Sequence, residues 1–298
     1  MKKILWLCLC LMSISSLTNK IVHAESYPNG VEGIKCGSAP PPGLYYKMYN
    51  AYITSDKLVN EKGDEIPVDF EAKLFVNVNR FLWVSKDIKI FNAHLASNIF
   101  FPICVRDIKI GALGIDDNMV GIGDIVVEPI ILAWYGKRWD FVAGFAMFLP
   151  TGATDDPADP GEDMYTYMVS YGGTYFLDDN KSLSASLVAR YEIHTEKQDK
   201  NYTPGDDFHF EWGVGKTVAR IFDVGIGGYC QWQVTDDSNA HGAHKEKAFG
   251  IGPQVSMIYP PWKMMVGLNM SFDFGIEGRP GIGRPETQRT FLTFTKIF

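Results

Sequence analysis

Twelve segments of about ten to sixteen residues alternate in polarity with a period of two, and the links between them are alternately very short and long. Period-two polarity puts apolar side chains on one face of an extended chain and polar ones on the other. The segments fall at 44–53, 70–84, 88–101, 122–135, 139–149, 165–177, 181–194, 208–218, 222–235, 247–258, 262–274 and 289–298. Three-residue, turn-like links follow the even-numbered segments, at 85–87, 136–138, 178–180, 219–221 and 259–261. Links of about eleven to twenty residues follow the odd-numbered ones. Short turns at one end and long loops at the other are the pattern of outer-membrane barrels. The expected fold is all-β: a single transmembrane antiparallel up-and-down β-barrel of about twelve strands over residues 44–298, with both chain ends in the periplasm.

The alternation is clearest in the second half of the chain. Leu183, Ala185, Leu187, Ala189, Tyr191 and Ile193 share one face, opposite Ser184, Ser186, Arg190, Glu192 and His194. Trp262, Met264, Val266, Leu268, Met270, Phe272 and Phe274 oppose Lys263, Gly267, Asn269, Ser271 and Asp273. No amphipathic helix has this spacing. A soluble β-sandwich or lipocalin-like barrel would alternate in the same way, with its apolar face turned inward. Segment length separates the two, since runs of about ten to fourteen residues suit a tilted membrane crossing better than a soluble sheet. Trp and Tyr near the segment ends fit interfacial girdles.

Lys2 and Lys3 precede an apolar run from Ile4 to Met12, and Val22-His23-Ala24 offers a small-residue cleavage site, so residues 1–24 read as a signal peptide. That run is too short for a membrane helix, and no later stretch approaches the length of one, so any embedding must be by strands. A mean hydropathy of −0.06 fits this, because a barrel averages a lipid face with a wet lumen. Residues 25–43, with Pro40-Pro41-Pro42-Gly43, form a strand-averse N-terminal segment, either a stiff periplasmic spacer or a plug in the lumen. The expected location is the bacterial outer membrane, with its lipid and lipopolysaccharide as surroundings. Phe298, ending an amphipathic last strand, resembles the signal read by the barrel assembly machinery.

Removing Lys2, Lys3 and Lys20 and no acid takes the formal charge from −7 to −10, which argues against a nucleic-acid partner. Much of the acid lies in loops, as at Asp155-Asp156, Asp206-Asp207 and Asp236-Asp237, and reads as a solvated rim. These loops lack EF-hand spacing, and neither a metal nor a cofactor is expected. Of the five cysteines, Cys36, Cys104 and Cys230 survive processing. Cys36 and Cys104 could pair only if the N-terminal segment threads the lumen.

Four stretches carry a family likeness: Gly121-Ile122-Gly123-Asp124 leading to Pro129, Leu149-Pro150-Thr151-Gly152, Arg190-Tyr191-Glu192-Ile193-His194-Thr195-Glu196, and Tyr202-Thr203-Pro204-Gly205-Asp206. With them the chain, from about Gly43 to Phe298, resembles the outer-membrane family named for the meta pathway of phenol degradation. His194 departs from the asparagine that the likeness leads one to expect. The resemblance implies an outer-membrane barrel passing aromatic or other small hydrophobic molecules by passive diffusion, in a family named for genetic context more than for demonstrated transport.

A barrel of about twelve strands keeps a lumen after its inward side chains are placed. Polarity assigns to that lumen a charge network of Glu71, Lys73, Glu128, Arg190, Glu192, Glu211, Asp223 and Lys263, along with Asn77 and Asn79. Gly213, Gly215, Gly225, Gly227, Gly250 and Gly252 fall on the same face and leave room for a permeant or an inserted segment. Val126, Ile130, Leu132 and Trp134, with Ile90 before them and Tyr229 across the lumen, supply a candidate path for an apolar solute. Alternatively, the fourth segment is buried on both faces beneath an inserted loop or the N-terminal segment. A hydrolase is the competing class, and His94, His194, His209, His241 and His244 are present. Yet no Gly-x-Ser-x-Gly elbow or HExxH motif occurs, so no catalysis is expected. A structural or adhesive barrel with an occluded lumen is the other alternative. The outer faces offer no distinct protein interface, and a monomer is expected.

Overall fold

The computed structural model describes residues 26–111, 114–154, 158–199, 201–238, 245–279 and 283–298. The leader, Asp155-Asp156 and the pair His241 and His244 lie outside the described residues. The strands are β1 (Gly43–Ser55), β2 (Leu58–Val59), β3 (Phe70–Ile90), β4 (Ala93–Ile110), β5 (Ile115–Ile122), β6 (Ile125–Tyr135), β7 (Trp139–Leu149) and β8 (Thr166–Phe176). They continue as β9 (Leu183–His194), β10 (Asp207–Val218), β11 (Phe222–Gln233), β12 (Lys247–Tyr259), β13 (Met264–Glu277), β14 (Arg284–Pro285) and β15 (Gln288–Ile297).

Twelve of them close into one antiparallel barrel, because β3 pairs with both β1 and β4 while β1 pairs with the last strand, β15. Closure leaves no sheet edge, which is what lets strands cross a bilayer. Strand β5 extends the line of β6: β4 pairs with β5 along Ile103–Ile110 and with β6 from His94 to Phe100. The long connection expected over 102–121 is therefore mostly a hairpin prolonging the wall.

The tight turns use left-handed backbone. Phe91 and Asn92 have φ of 50° and 64°, and Ala219 and Arg220 have 51° and 62°, the paired positive values of a two-residue hairpin whose twist matches its strands. The first turn sits at Phe91-Asn92, not at 85–87. Residues 85–88 are absorbed in a bulge, where the register passes from Val84 opposite Ala96 to Lys89 opposite His94, and the Ile88 amide donates to Ser85 Oγ at 2.8 Å.

A second bulge changes which residues line the lumen. Val127 lies opposite Met147 but Ile130 lies opposite Phe145, so β6 carries one extra residue at Pro129. Val126 and Glu128 face inward, and past the bulge the inward positions become Ile131 and Ala133. Ile130, Leu132 and Trp134 are thereby turned to the outside, where Ile130 is 50% exposed.

Outside, rings collect at both ends of the wall. Phe208, Phe210, Trp232, Phe249 and Phe274 form a chain of contacts across β10 to β13, and Trp134 packs on Phe141 near the opposite rim. Rings at these heights suit the two membrane interfaces.

Candidate functional site: a divided lumen

The lumen is shared between the N-terminal segment and a cavity. Residues 26–42 run from the long-loop end of the barrel to the short-turn end, lying against β7 to β13, so the described chain starts at the long-loop end and not, as expected for both ends, at the periplasmic one. Ser26 meets Thr166 at 3.2 Å, Asn29 donates to Gln231 at 3.1 Å, and the Glu32 amide donates to Glu211 at 2.9 Å. Lower down, Lys35 binds Asp223 at 2.7 Å and Ser38 donates to Asp140 at 2.8 Å. The wall glycines make this approach possible, since a Cβ on Gly213 would come within 2.9 Å of Ile34 Cα and one on Gly215 within 2.7 Å of the Ile34 side chain. Tyr135 and Tyr45 donate their hydroxyls, each at 2.6 Å, to the carbonyls of Pro40 and Pro41 and fix the segment's exit.

Glu32 ties the segment to the opposite wall as well. Its carboxylate lies 3.2 Å from Arg80 and 3.4 Å from Lys47, and accepts from the Tyr49 hydroxyl at 3.2 Å. Arg80 also donates to Asn98, which donates to Glu128 at 2.6 Å. On the far side Arg190 pairs with Glu211 at 3.1 Å, and its guanidinium sits 4.0 Å from the centre of the Tyr27 ring. A chain of charged groups thus spans the lumen at mid-height through one residue of the segment. Such groups hold their charge in a low-dielectric setting only when paired in this way.

Beside the segment runs a cavity of about 980 Å³. Its wall on β1, β3, β4 and β6 to β8 is mainly apolar, with Ala51, Val76, Val78, Leu82, Ala96, Phe100, Val126, Ile131, Ala146, Phe148 and Met168. Its lining reaches from Phe70 and Ile108 at the long-loop end to Met265 and Ile297 at the short-turn end. The long-loop end is roofed. There β2 pairs with β14, and Leu58, Phe70, Ile108, Ile110 and Ala158 pack together. A relay of ion pairs holds that roof: Arg284 to Glu246 at 2.8 Å, Glu246 to Arg279 at 2.7 Å and Arg279 to Asp237 at 3.0 Å. Burial opposes the charge on Arg279, but Glu246, Tyr202 and Asp237 together hold its proton more tightly than usual. Burial pushes the neighbouring Tyr202 phenol up, against the pull of Arg279.

The family described as "Putative MetA-pathway of phenol degradation" matches residues 55–283, well over half of the chain. The chain belongs to this family. No curated protein matches it by sequence. Among solved structures, an outer membrane channel from Pseudomonas putida F1 superposes with a TM-score of 0.76 at 14% identity, covering 93% of this chain and all (100%) of that one. This shows a shared fold. The transport unit of the autotransporter AIDA-I from Escherichia coli (TM-score 0.48, 10% identity, 96% and 97% covered) and the CymD monoaromatic hydrocarbon channel (0.44, 8%, 86% and 89%) are more distant.

In this member of the phenol-degradation family, the structure separates the residues that polarity had grouped. Glu128, Arg190, Glu192, Glu211 and Asp223 lie inside, with Glu192 accepting from the His209 ring at 2.8 Å. Glu71 and Lys73 lie on the outer face near the long-loop rim, half exposed and paired with each other, and Lys263 is exposed in a short turn. Asn77 and Asn79 also face outward, in a hydrogen-bonded ladder with Asn50 and Tyr46. The reason is the inner face of β3: Ala72, Leu74, Val76, Val78 and Leu82 point into the cavity, so polarity runs opposite to the usual sense.

Of the residues placed on an apolar path, Val126 lines the cavity. Ile130, Leu132 and Trp134 face out because of the bulge, and Ile90 is exposed beside the Phe91 turn, where Trp134 donates to the Phe91 carbonyl at 3.0 Å. Tyr229 is fully buried against Gly30 and hydrogen-bonded to Asp273, beneath the segment. Cys36 lies at Ser186 on β9 and Cys104 is buried on β4; neither forms a disulfide. The cross-lumen group of Glu32, Lys47, Tyr49 and Arg80 escaped the polarity reading. Its one signal in sequence is that Arg80 and Lys47 interrupt strands otherwise lined by aliphatic and aromatic residues.

Proposed function

We propose that the protein passes small hydrophobic or aromatic solutes across the outer membrane by passive diffusion along the apolar half of its lumen. The observation that carries this reading is the cavity of about 980 Å³, apolar on one side and continuous from near one rim to near the other. Apolar walls let such a solute leave water without meeting unsatisfied polar groups. The family's description, and the name of the Pseudomonas putida outer membrane channel that shares its fold, point the same way. In this reading residues 1–24 are cleaved on export, the assembly machinery reads the C-terminal strand, and the barrel works as a monomer among lipid and lipopolysaccharide. The segment 26–42 partly plugs the lumen, and the chain acts as a channel and not as an enzyme. Val126 keeps its place on the path, joined by Val78, Leu82, Phe100 and Ile131.

Uptake by liposomes holding the refolded mature protein tests this, with phenol, toluene, fatty acids and simple ions as solutes and empty liposomes as control. Selective entry of the apolar solutes is expected. Absence of flux for every solute would sink the proposal and leave a structural barrel.

A further inference from the structure

The two halves of the lumen differ in chemistry. The apolar half holds the cavity, whereas the half floored by β9 to β13 is polar and holds the segment. Behind the segment lie Glu211, Asp223, Gln231, Gln254, Asn269 and Ser271. Several polar atoms buried at this contact find no partner in the protein: Asn29 Oδ1, His209 Nδ1, Gln254 Oε1, Ser271 Oγ and the Tyr27 hydroxyl. A dry core would not tolerate so many. These groups need hydration or partners, so without the segment the same wall would line a wet passage.

We propose that the N-terminal segment is the channel's selectivity element: it fills the polar half of the lumen, denying ions and hydrophilic solutes a water-filled path, and leaves the apolar half free. Glu32 is the residue that completes the barrier, because it hydrogen-bonds to both walls, to Glu211 through its amide and to Arg80, Lys47 and Tyr49 through its carboxylate. The groups it joins carry matched charges, three acidic (Glu32, Glu128, Glu211) and three basic (Lys47, Arg80, Arg190), so the clasp leaves no net charge to attract an ion. The inference rests on the channel reading above, and it requires the segment to stay seated while apolar solutes pass.

The geometry supplies a lock. Cys36 Sγ lies 3.5 Å from Ser186 Oγ, so Ser186→Cys in the full-length chain places a partner thiol beside Cys36. Ion conductance in planar bilayers and apolar uptake in liposomes would be compared for the wild type, the oxidised Ser186→Cys variant and a chain lacking residues 26–38. Expected are unchanged apolar uptake and low conductance in the locked protein, and a conductance raised roughly tenfold or more in the deletion. Loss of apolar uptake on locking would overturn the inference, by showing that the segment must move. So would a folded deletion barrel that conducts no better than the wild type. Should the deletion not assemble, the full-length Glu32→Ala/Lys35→Ala variant takes its place with the same expected direction. Failure of apolar uptake in the wild type itself would instead count against the channel reading.

Discussion

The Arg190 and Glu211 pair offers a quantitative check on how the lumen is held together. The two side chains are 6% and 1% exposed and 3.1 Å apart. At an effective dielectric of about 20 this separation corresponds to an attraction of about 5 kcal/mol. Desolvation of both ions offsets much of it. Arg190→Met leaves a buried carboxylate supported only by the Glu32 amide, and Glu211→Leu leaves a buried guanidinium beside the Tyr27 ring. Each single change should cost about 3–5 kcal/mol, whereas the double change, which strands no charge, should cost less than about 3 kcal/mol. The coupling energy is then at least about 3 kcal/mol, well above the roughly 0.5 kcal/mol seen between independent sites. Urea unfolding of the barrel in lipid vesicles, followed by tryptophan fluorescence, measures all four corners of the cycle. Singles that simply add in the double variant would refute the view that this pair is one buried electrostatic unit.

Three further outcomes are expected. Leu82→Asn, inside the cavity, should lower apolar solute uptake by about tenfold, through roughly 1.5 kcal/mol of lost apolar contact, while Leu132→Asn on the outer face leaves uptake unchanged in liposome assays; equal effects would contradict the β6 bulge. Gly213→Val should displace Ile34 and loosen the segment, read as faster proteolysis near residues 26–38, with protection equal to the wild type as the contrary result. At the 177–182 turn the Asp178 carboxylate accepts from the Leu183 amide and from the Ser182 hydroxyl and amide, which hold its pKa below the usual value. A depressed folded pKa contributes stability above the unfolded value of about 4 that is lost as pH falls through the folded one. Acid unfolding of Asp178→Asn should accordingly show a shallower pH dependence in that window, and a profile superimposable on the wild type would count against it.

Strand number, closure and the later short turns were legible because each depends on local pattern, whereas the first turn and the 102–121 connection were not, since a bulge and a wall-extending hairpin displace them. Face assignment was legible on β9 to β13, where Arg190, Glu192, His209 and Glu211 share the buried side. It failed on β3 and β6 for two separate reasons. On β3 the lumen is itself apolar, so Val76 and Val78 point in while Asn77 and Asn79 point out and satisfy each other. On β6 one extra residue at Pro129 reverses the phase for everything beyond it, and a single sequence does not announce a bulge. The site's centre was missed for a third reason. Glu32 lies outside any strand, and its partners Lys47 and Arg80 stand about 15 and 48 residues away, so nothing local links them.

The path of residues 26–42 has a practical corollary for anyone attaching a label to this protein. The first described residue, Ser26, is deep in the barrel beside Thr166 at the long-loop end, although the strand it leads to begins at the opposite rim. Phe298 ends the chain at that opposite rim, its amide held by the Leu44 carbonyl. An epitope tag joined just ahead of residue 26 would therefore be attached inside the barrel near its long-loop end, whereas one joined after Phe298 would be attached at the short-turn rim. The two attachment points are thus a barrel's height apart, though the two ends of the barrel sheet itself, β1 and β15, are hydrogen-bonded neighbours.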